Sequence, residues 1–154
     1  MTAEIDARLA ELGLSLPDAP APAANYVPWV RTGSLVHVSG QISQGPDGFI
    51  TGKLGRDLSV EQGAAAARAC ALSLLAQVRA ACGGDLGRLR RVVKLTGFVN
   101  STPDFADQPK VINGASDTLV AILGEAGRHA RSAVSAASLP FGVAVEVEGV
   151  FEVE

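Results

Sequence analysis

The alternation of apolar and acidic residues near the C-terminus constrains the fold of this 154-residue chain more than any other feature. From residue 143 to 153 every second position is Val, Phe or Gly, and Glu146, Glu148 and Glu152 lie at positions between them. Because successive side chains of a strand point to opposite faces, this pattern predicts a strand with one buried and one solvated face. Residues 131–137 predict a second strand before it. We therefore expect a sheet that is covered on one side.

Two helices are predicted to supply that cover. Ser59 and Gln62 have the spacing of a capping box, and the alanine-rich stretch after them predicts a helix from about Val60 to Cys82. A second helix is expected from about Phe105 to Gly124. The largely apolar residues 90–100 between the two helices predict a buried central strand.

The N-terminal segment differs in composition from the rest of the chain. An amphipathic helical pattern is followed by "PDAPAPAANYVP", a Pro- and Ala-rich connector that cannot be regular structure. We expect residues 1–24 to be an added helix and connector, and residues 25–154 to be the main domain. Within that domain, strands alternate with the two helices and two strands end the chain, which indicates an α+β or α/β layer.

Composition excludes several classes of protein. A content of 47% apolar and 19% charged residues is typical of a compact globular protein. The net charge of −3 argues against a nucleic-acid-binding surface, and no apolar run approaches the length of about 18 residues that a membrane span needs. Cys70 and Cys82 lie in one predicted helix, about 18 Å apart along its axis, too far to bridge. We expect buried, reduced thiols in a cytoplasmic protein without membrane or nucleic-acid partners.

Two charged positions in the last strands allow two interpretations. Arg131 is either an exposed arginine at a strand edge or, beside the small residues Ser132 and Ala133, the anchor of a planar carboxylate. Glu146 is either one more residue of the solvated face or a proton acceptor. An arginine and a glutamate on neighbouring strands would bind an amino-acid-like or keto-acid-like molecule. For Glu148 and Glu152 the solvated face is the preferred interpretation.

Three segments together resemble the signature of the reactive intermediate deaminase (RidA/YjgF, endoribonuclease L-PSP) family: "VHVSGQIS", "ARSAV" at 130–134 and "LPFGVAVEVEGV" at 139–150. The resemblance covers roughly residues 25–153. It implies a chorismate-mutase-like α+β fold, with a mixed six-stranded sheet and two main helices on one face, here with an added N-terminal helix. It also implies a homotrimer with ligand clefts between subunits.

The resemblance implies an activity and a set of site residues. Its better-studied members hydrolyse 2-imino acids and their enamine tautomers, such as 2-iminobutanoate and 2-iminopropanoate, to 2-oxo acids and ammonia without metal or other cofactor. Arg131 would hold the substrate carboxylate and Glu146 would handle the water and its proton. The positions that match the rest of the family's pocket are Tyr26, Ser39, Gly40, Asn113 and Ala133.

This chain also departs from the family pattern. Ala133 stands where many deaminases carry cysteine, and His129 replaces a common proline; we expect His129 on an exposed loop. These departures leave a second function open, a non-catalytic trimeric module that binds or senses a 2-oxo acid through the same arginine. Both hypotheses require a small carboxylate-bearing ligand.

Overall fold

A mixed sheet with helices packed on one face forms the body of the protein, and a computed structural model describes residues 2–154. The helices are α1 (Thr2–Glu11), α2 (Val60–Ala81) and α3 (Gln108–Leu123). The strands are β1 (Trp29–Thr32), β2 (Leu35–Ile42), β3 (Gln44–Gly45), β4 (Gly48–Phe49), β5 (Leu89–Asn100), β6 (Ala130–Ala136) and β7 (Val145–Val153). Single 3₁₀ turns lie at Leu86–Arg88, Gly124–Gly127 and Pro140–Gly142.

The main sheet has five strands in the order β1-β2-β7-β5-β6. Strand β7 pairs antiparallel with β2 and with β5, so β2 and β5 run parallel on either side of it. Strand β6 pairs parallel with β5 and lies at the edge of the sheet. The chain passes through α2 between β2 and β5 and through α3 between β5 and β6, and both helices pack on the same core.

The expected α+β architecture is confirmed, but the sixth strand of the main sheet was wrong. Strands β3 and β4 pair only with each other, as a separate two-stranded hairpin. This segment meets the main sheet through single contacts: the Ser43 N–H donates to the Val145 carbonyl at 2.9 Å, and Thr51 forms an isolated bridge with Val143. It turns back after so few residues that no continuous ladder with β7 can form.

The predicted helix boundaries hold at α2 and shift at α3. The capping box is present at α2, where the Ser59 hydroxyl accepts from the Gln62 N–H at 3.1 Å and the Gln62 amide oxygen accepts from the Ser59 N–H at 2.8 Å. Helix α3 begins at Gln108 rather than near Phe105, with Pro109 in its first turn, where a proline is favoured. Within residues 2–154, no helix combines the length and the apolar character that crossing a membrane requires.

The alternation in β7 sorts its residues as predicted. Val145, Val147 and Phe151 are fully buried against the helices, whereas Glu148 is exposed and Glu146 is half-buried. Burying a side chain of this size stabilises the fold by about 1.5–3 kcal/mol relative to leaving it exposed. The apolar face of β7 therefore anchors the sheet to α2, while α3 packs on β5 and β6.

The two cysteines are free and buried, as expected. Burial raises the pKa of the Cys70 thiol, whose sulfur lies 3.6 Å from the Val145 carbonyl oxygen. A thiol in such surroundings stays protonated and is a poor nucleophile. Cys70 and Cys82 are therefore packing residues.

The N-terminal helix and connector are tied to the main body. Leu9 of α1 is only 6% exposed and belongs to the hydrophobic core. Farther along, the buried side-chain amide of Gln77 donates to the Pro20 carbonyl at 2.7 Å and so fixes the connector against α2. The division of the chain at residue 24 stays a prediction.

Candidate functional site

The guanidinium of Arg131 is held by residues on one face of α3. Its Nη1 donates to the Asn113 side-chain oxygen at 2.8 Å and to the Ser116 hydroxyl at 3.1 Å, and its Nη2 lies 3.4 Å from the Pro109 carbonyl oxygen. Pro109, Asn113 and Ser116 are spaced four and three residues apart, so they share one face of the helix. Among the described residues, Nε has no hydrogen-bond partner, which leaves the Nε–Nη2 edge available to a planar carboxylate.

His129 lies beside the Arg131 side chain, in the loop before β6 as expected, but the expectation that it is exposed was wrong. It is half-buried, with Nε2 at 2.8 Å from the Ser116 hydroxyl and Nδ1 at 2.6 Å from the Gly127 carbonyl oxygen. Burial lowers the pKa of His129; the bond to Gly127 acts in the opposite direction, and the nearby Arg131 lowers the pKa further. The ring is therefore held in its neutral form next to the arginine. The contact could not be predicted, because no local pattern relates the position of this loop to that of α3.

Glu146 lies in a different place, at a cavity of about 670 Å³. The cavity is lined mainly by apolar residues: Pro20, Ala21, Pro22, Ala23, Ala24, Pro28, Ile42, Phe49, Pro140 and Phe141. Burial raises the pKa of Glu146, and the neighbouring Glu148 raises it further. A carboxyl group with a raised pKa in an apolar cavity is suited to accept and return a proton.

Gly40 and Tyr26 share the cavity with Glu146. A Cβ atom at position 40 would lie 2.4 Å from Oε2 of Glu146, so any other residue there would displace this carboxylate from its present position. The Tyr26 hydroxyl accepts a hydrogen bond from the Ala23 N–H at 3.2 Å. Ser39 contributes differently, because its hydroxyl donates to the Val27 carbonyl at 2.7 Å and fixes the loop that carries Tyr26.

One wall of the cavity consists of residues that sequence analysis missed. Phe49 and Phe141 stack with their ring centroids 5.1 Å apart, and both are exposed on the cavity side of the molecule. Phe141 has φ = 59°, a left-handed conformation that costs a bulky residue free energy and is common at functional sites. The remaining wall is the connector, residues 20–24. In the sequence, the feature that could have indicated this wall is the aromatic residue Phe141 between Pro140 and Gly142.

Arg131 and Glu146 do not meet within one chain. The interpretation that placed them on neighbouring strands was wrong, because β5 lies between β6 and β7, which separates the two strands by about 10 Å. Through the pairs Glu146–Phe98 and Phe98–Val134, Glu146 shares a face with Val134, whereas Arg131 lies on the opposite face, towards α3. One chain therefore carries two candidate half-sites on opposite faces of its sheet: the arginine half-site around Arg131 and the glutamate half-site around Glu146.

Ala133 belongs to the arginine half-site. It follows Arg131 by two residues in β6, points to the same face, and packs partly buried against the core. Ser116 also belongs there and was not predicted, although its position three residues after Asn113 places both on one helix face. Of the five predicted pocket residues, Asn113 and Ala133 lie at the arginine half-site, Tyr26 and Gly40 line the cavity of Glu146, and Ser39 supports the loop of Tyr26.

The two half-sites offer complementary chemistry. Arg131 presents a charged fork for a carboxylate, and Glu146 presents a basic oxygen in apolar surroundings. Within residues 2–154, no group of three or more His, Cys, Asp or Glu side chains is arranged to hold a metal ion. The residues present can bind a small anion and transfer a proton.

Comparisons with known proteins identify relatives of this chain. A family described as "YjgF/chorismate_mutase-like, putative endoribonuclease" matches residues 6–151. Protein TCP17 of Trypanosoma cruzi is 53% identical over 150 residues, which cover 96% of this chain and 93% of TCP17. Among solved structures, Agrobacterium tumefaciens Atu1372 has a TM-score of 0.93 at 49% identity, covering 99% of this chain and 94% of that one. E. coli TdcF, solved with bound serine, has a TM-score of 0.61 at 27% identity, covering 88% and 94%. The chain therefore belongs to the RidA/YjgF family, with its chorismate-mutase-like fold.

Proposed function

We propose that this protein hydrolyses small 2-imino acids and their enamine tautomers to 2-oxo acids and ammonia, in a cleft where Arg131 of one copy faces Glu146 of another. The observation that carries the proposal is the pair of half-sites: a clamped arginine with a free edge, and a carboxyl group of raised pKa in an apolar cavity. Each supplies what the other lacks. Together they provide a carboxylate anchor and a base.

Arg131 would bind the substrate carboxylate through Nε and Nη2. Two parallel charge-assisted hydrogen bonds fix both the position and the plane of a carboxylate. Because Nη1 is already held by Asn113 and Ser116, little side-chain freedom is lost when the ligand binds. The imine carbon, next to the carboxylate, is then held at a defined distance from the arginine.

Glu146 would activate the attacking water. The water oxygen forms a bond to the imine carbon while the carboxylate of Glu146 accepts a proton from the water. Glu146 then returns this proton to the nitrogen of the carbinolamine formed from the protonated imine. As the C–N bond breaks and ammonia leaves, the hydroxyl proton passes to Glu146 and the 2-oxo group forms. General-base assistance of this kind typically contributes about 100- to 10,000-fold.

A homotrimer is part of this proposal. Strand β6 lies at the sheet edge, and the sheet face opposite the helices exposes large apolar side chains such as Val30 and Val134, which are 53% and 46% exposed. Val30 and Val134 lie on the two edge strands, so neighbouring copies that pack on each edge would remove both side chains from water. Packing these faces around a threefold axis would cover them and bring β6 of one copy towards Glu146 of the next.

The cavity also favours a particular substrate class. Its lining is apolar apart from Glu146 and a few polar side chains, and Phe49, Phe141 and the connector form much of it. An apolar substrate side chain would fit beside the carboxyl group of Glu146, since each buried CH₂ contributes about 0.8 kcal/mol. We therefore propose imines of larger apolar amino acids as preferred substrates. The serine bound to TdcF supports a small amino-acid-like ligand in this family.

The first experiment measures ammonia release from imines generated in place by an amino-acid oxidase acting on leucine or alanine. We expect the wild-type protein to accelerate release, more strongly for the leucine-derived imine. Arg131→Ala and Glu146→Gln should each lose most of the acceleration, by about 100-fold or more. Asp117→Ala, an exposed change on α3, is the matched control and should behave like the wild type.

The outcome separates the two functions that the sequence allowed. Acceleration that survives Arg131→Ala would contradict the proposed site. If no acceleration occurs, but calorimetry shows that a 2-oxo acid binds to the wild type and not to Arg131→Ala, the protein is a binding module that uses the same anchor.

A further inference from the structure

We propose that His129 is a positioning residue for Arg131 and acts through the Ser116 hydroxyl. The inference rests on the proposed role of Arg131 as the carboxylate anchor. It concerns three side chains from two elements: His129 before β6, Ser116 on α3, and Arg131 in β6. Their contacts form a hydrogen-bond chain that can be oriented in only one way when the imidazole is neutral.

The backbone carbonyl of Gly127 fixes the tautomer of the imidazole. A carbonyl oxygen can only accept, so the Nδ1 atom at 2.6 Å from it must carry the proton. In a neutral imidazole Nε2 is then an acceptor, and the Ser116 hydroxyl at 2.8 Å must donate to it. The hydroxyl hydrogen is thereby directed away from the arginine.

The consequence is felt at the guanidinium. With its hydrogen committed to His129, the Ser116 oxygen presents a lone pair to Nη1 of Arg131 at 3.1 Å. A second acceptor, the Asn113 side-chain oxygen, lies 2.8 Å from the same nitrogen, but Asn113 is exposed whereas Ser116 and His129 are half-buried. The hydrogen bond from Arg131 to Ser116 is the more buried of the two, so solvent disturbs it less. It fixes the rotation of the guanidinium and therefore the direction of its free edge.

Removing the imidazole would release this arrangement. Without an acceptor at Nε2, the Ser116 side chain loses the partner that fixes its rotamer and could turn its oxygen away from Nη1 of Arg131. The guanidinium would then be free to rotate, and the entropy lost on binding a carboxylate would increase. His129 thus acts on the ligand without touching it.

Calorimetric titration with 2-oxobutanoate tests the chain of contacts. His129→Ala and Ser116→Ala should each weaken binding by about tenfold. The double variant should bind no more weakly than the single variant of lower affinity, because both changes break the same chain of hydrogen bonds. His129→Gln, whose amide oxygen can accept from Ser116, should recover part of the loss. Asp117→Ala, next to Ser116 on α3 but exposed, is the control and should bind like the wild type.

Several results would overturn the proposal. Wild-type affinity in His129→Ala, with binding abolished in Arg131→Ala, would show that Arg131 needs no support from His129. If the losses of binding free energy in the two single variants add up in the double variant, His129 and Ser116 act on the ligand independently. If instead the wild type does not bind, or Arg131→Ala binds equally well, the proposed function fails at the anchor itself.

A measurement without ligand tests His129 in that case too. The ¹⁵N–¹H relaxation of the Arg131 Nε–H group reports the mobility of the guanidinium directly. We expect it to become markedly more mobile in both His129→Ala and Ser116→Ala and to be unchanged in Asp117→Ala. Unchanged mobility in the first two variants would contradict positioning by His129.

Discussion

Glu146 shows how neighbouring residues set the properties of a single carboxyl group. Burial in the apolar cavity raises its pKa most, and the like charge of Glu148, two residues along β7, raises it further. Gly40 contributes by having no side chain where Oε2 lies. A base whose pKa approaches the working pH transfers protons efficiently in both directions.

The contribution of Glu148 can be tested through the pH dependence of imine hydrolysis. The proposed mechanism requires ionised Glu146, so kcat/KM should fall as the pH drops through its raised pKa. Glu148→Gln removes the negative neighbour and should lower the pKa of Glu146, which moves the acidic limb of the profile to lower pH. Rates are measured relative to uncatalysed hydrolysis at each pH.

Glu152→Gln is the matched control for this change. Glu152 lies on the same face of β7, but it does not contribute to the shift at Glu146. The acidic limb should stay in its wild-type position. A limb that moves equally in both variants, or in neither, would contradict the assignment of the base or the influence of Glu148.

At the scale of elements, the contact between α2 and α3 depends on Gly114. A Cβ atom at this position would lie 2.0 Å from the Ala64 carbonyl oxygen, a backbone atom of α2 that cannot move without shifting the helix. Glycine inside a helix costs about 1 kcal/mol relative to alanine. Glycine is nevertheless required here, because it allows the close approach of the two helices. This approach places α3, and with it Asn113 and Ser116, beside β6.

Gly114→Ala should therefore destabilise the protein despite its better helix propensity. We expect the free energy of unfolding to fall by about 2 kcal/mol, since the added methyl group forces the helices apart. Urea denaturation followed by circular dichroism measures the change. Gly45→Ala, where a Cβ atom meets nothing within 4 Å, should shift the free energy by less than about 0.5 kcal/mol. A Gly114→Ala variant as stable as the wild type would show that the helices can separate at little cost.

At the scale of the whole molecule, the two half-sites lie on opposite faces of one sheet. A single chain cannot bring Arg131 to Glu146 without breaking the β5–β6 or β5–β7 pairing. The proposed association of identical copies would solve this geometrically, because each copy could supply an arginine to one neighbour and a glutamate to the other. We expect light scattering to give three times the 15.7 kDa mass of one chain.

Mixing two inactive variants tests whether the site is shared between copies. Arg131→Ala and Glu146→Gln are denatured, combined in equal amounts and refolded, so that their copies assemble at random. A cleft is intact when its arginine comes from a Glu146→Gln copy and its glutamate from an Arg131→Ala copy. About a quarter of the clefts, and of the wild-type activity, should return.

Each variant refolded alone is the control and should stay inactive. Activity that does not return in the mixed sample, although mixed trimers are present by mass spectrometry, would place both residues in one copy's site. A monomeric mass would contradict the shared cleft altogether.

Local patterns in the sequence were enough to predict most of the elements. The capping box at Ser59 and Gln62 specified the start of α2, because both of its hydrogen bonds form within four residues of chain. The alternation in β7 specified which side chains are buried, because the period of two is a property of any strand. The short β3–β4 hairpin escaped prediction, since whether a strand joins the main ladder depends on partners distant in the chain.

The sequence by itself was also enough to select the two residues that we propose carry the chemistry, an arginine in "ARSAV" and a glutamate in "VEVE". Only the tertiary structure decided how they are arranged. Alternation relates side chains within one strand, but the relation between strands follows from their order and register. Here the crossover through α3 places β6 on the side of β5 that faces away from β7, so β5 separates the two strands. The same crossover brings Ser116 of α3 to His129 and Arg131, two contacts that no local pattern in the sequence encodes.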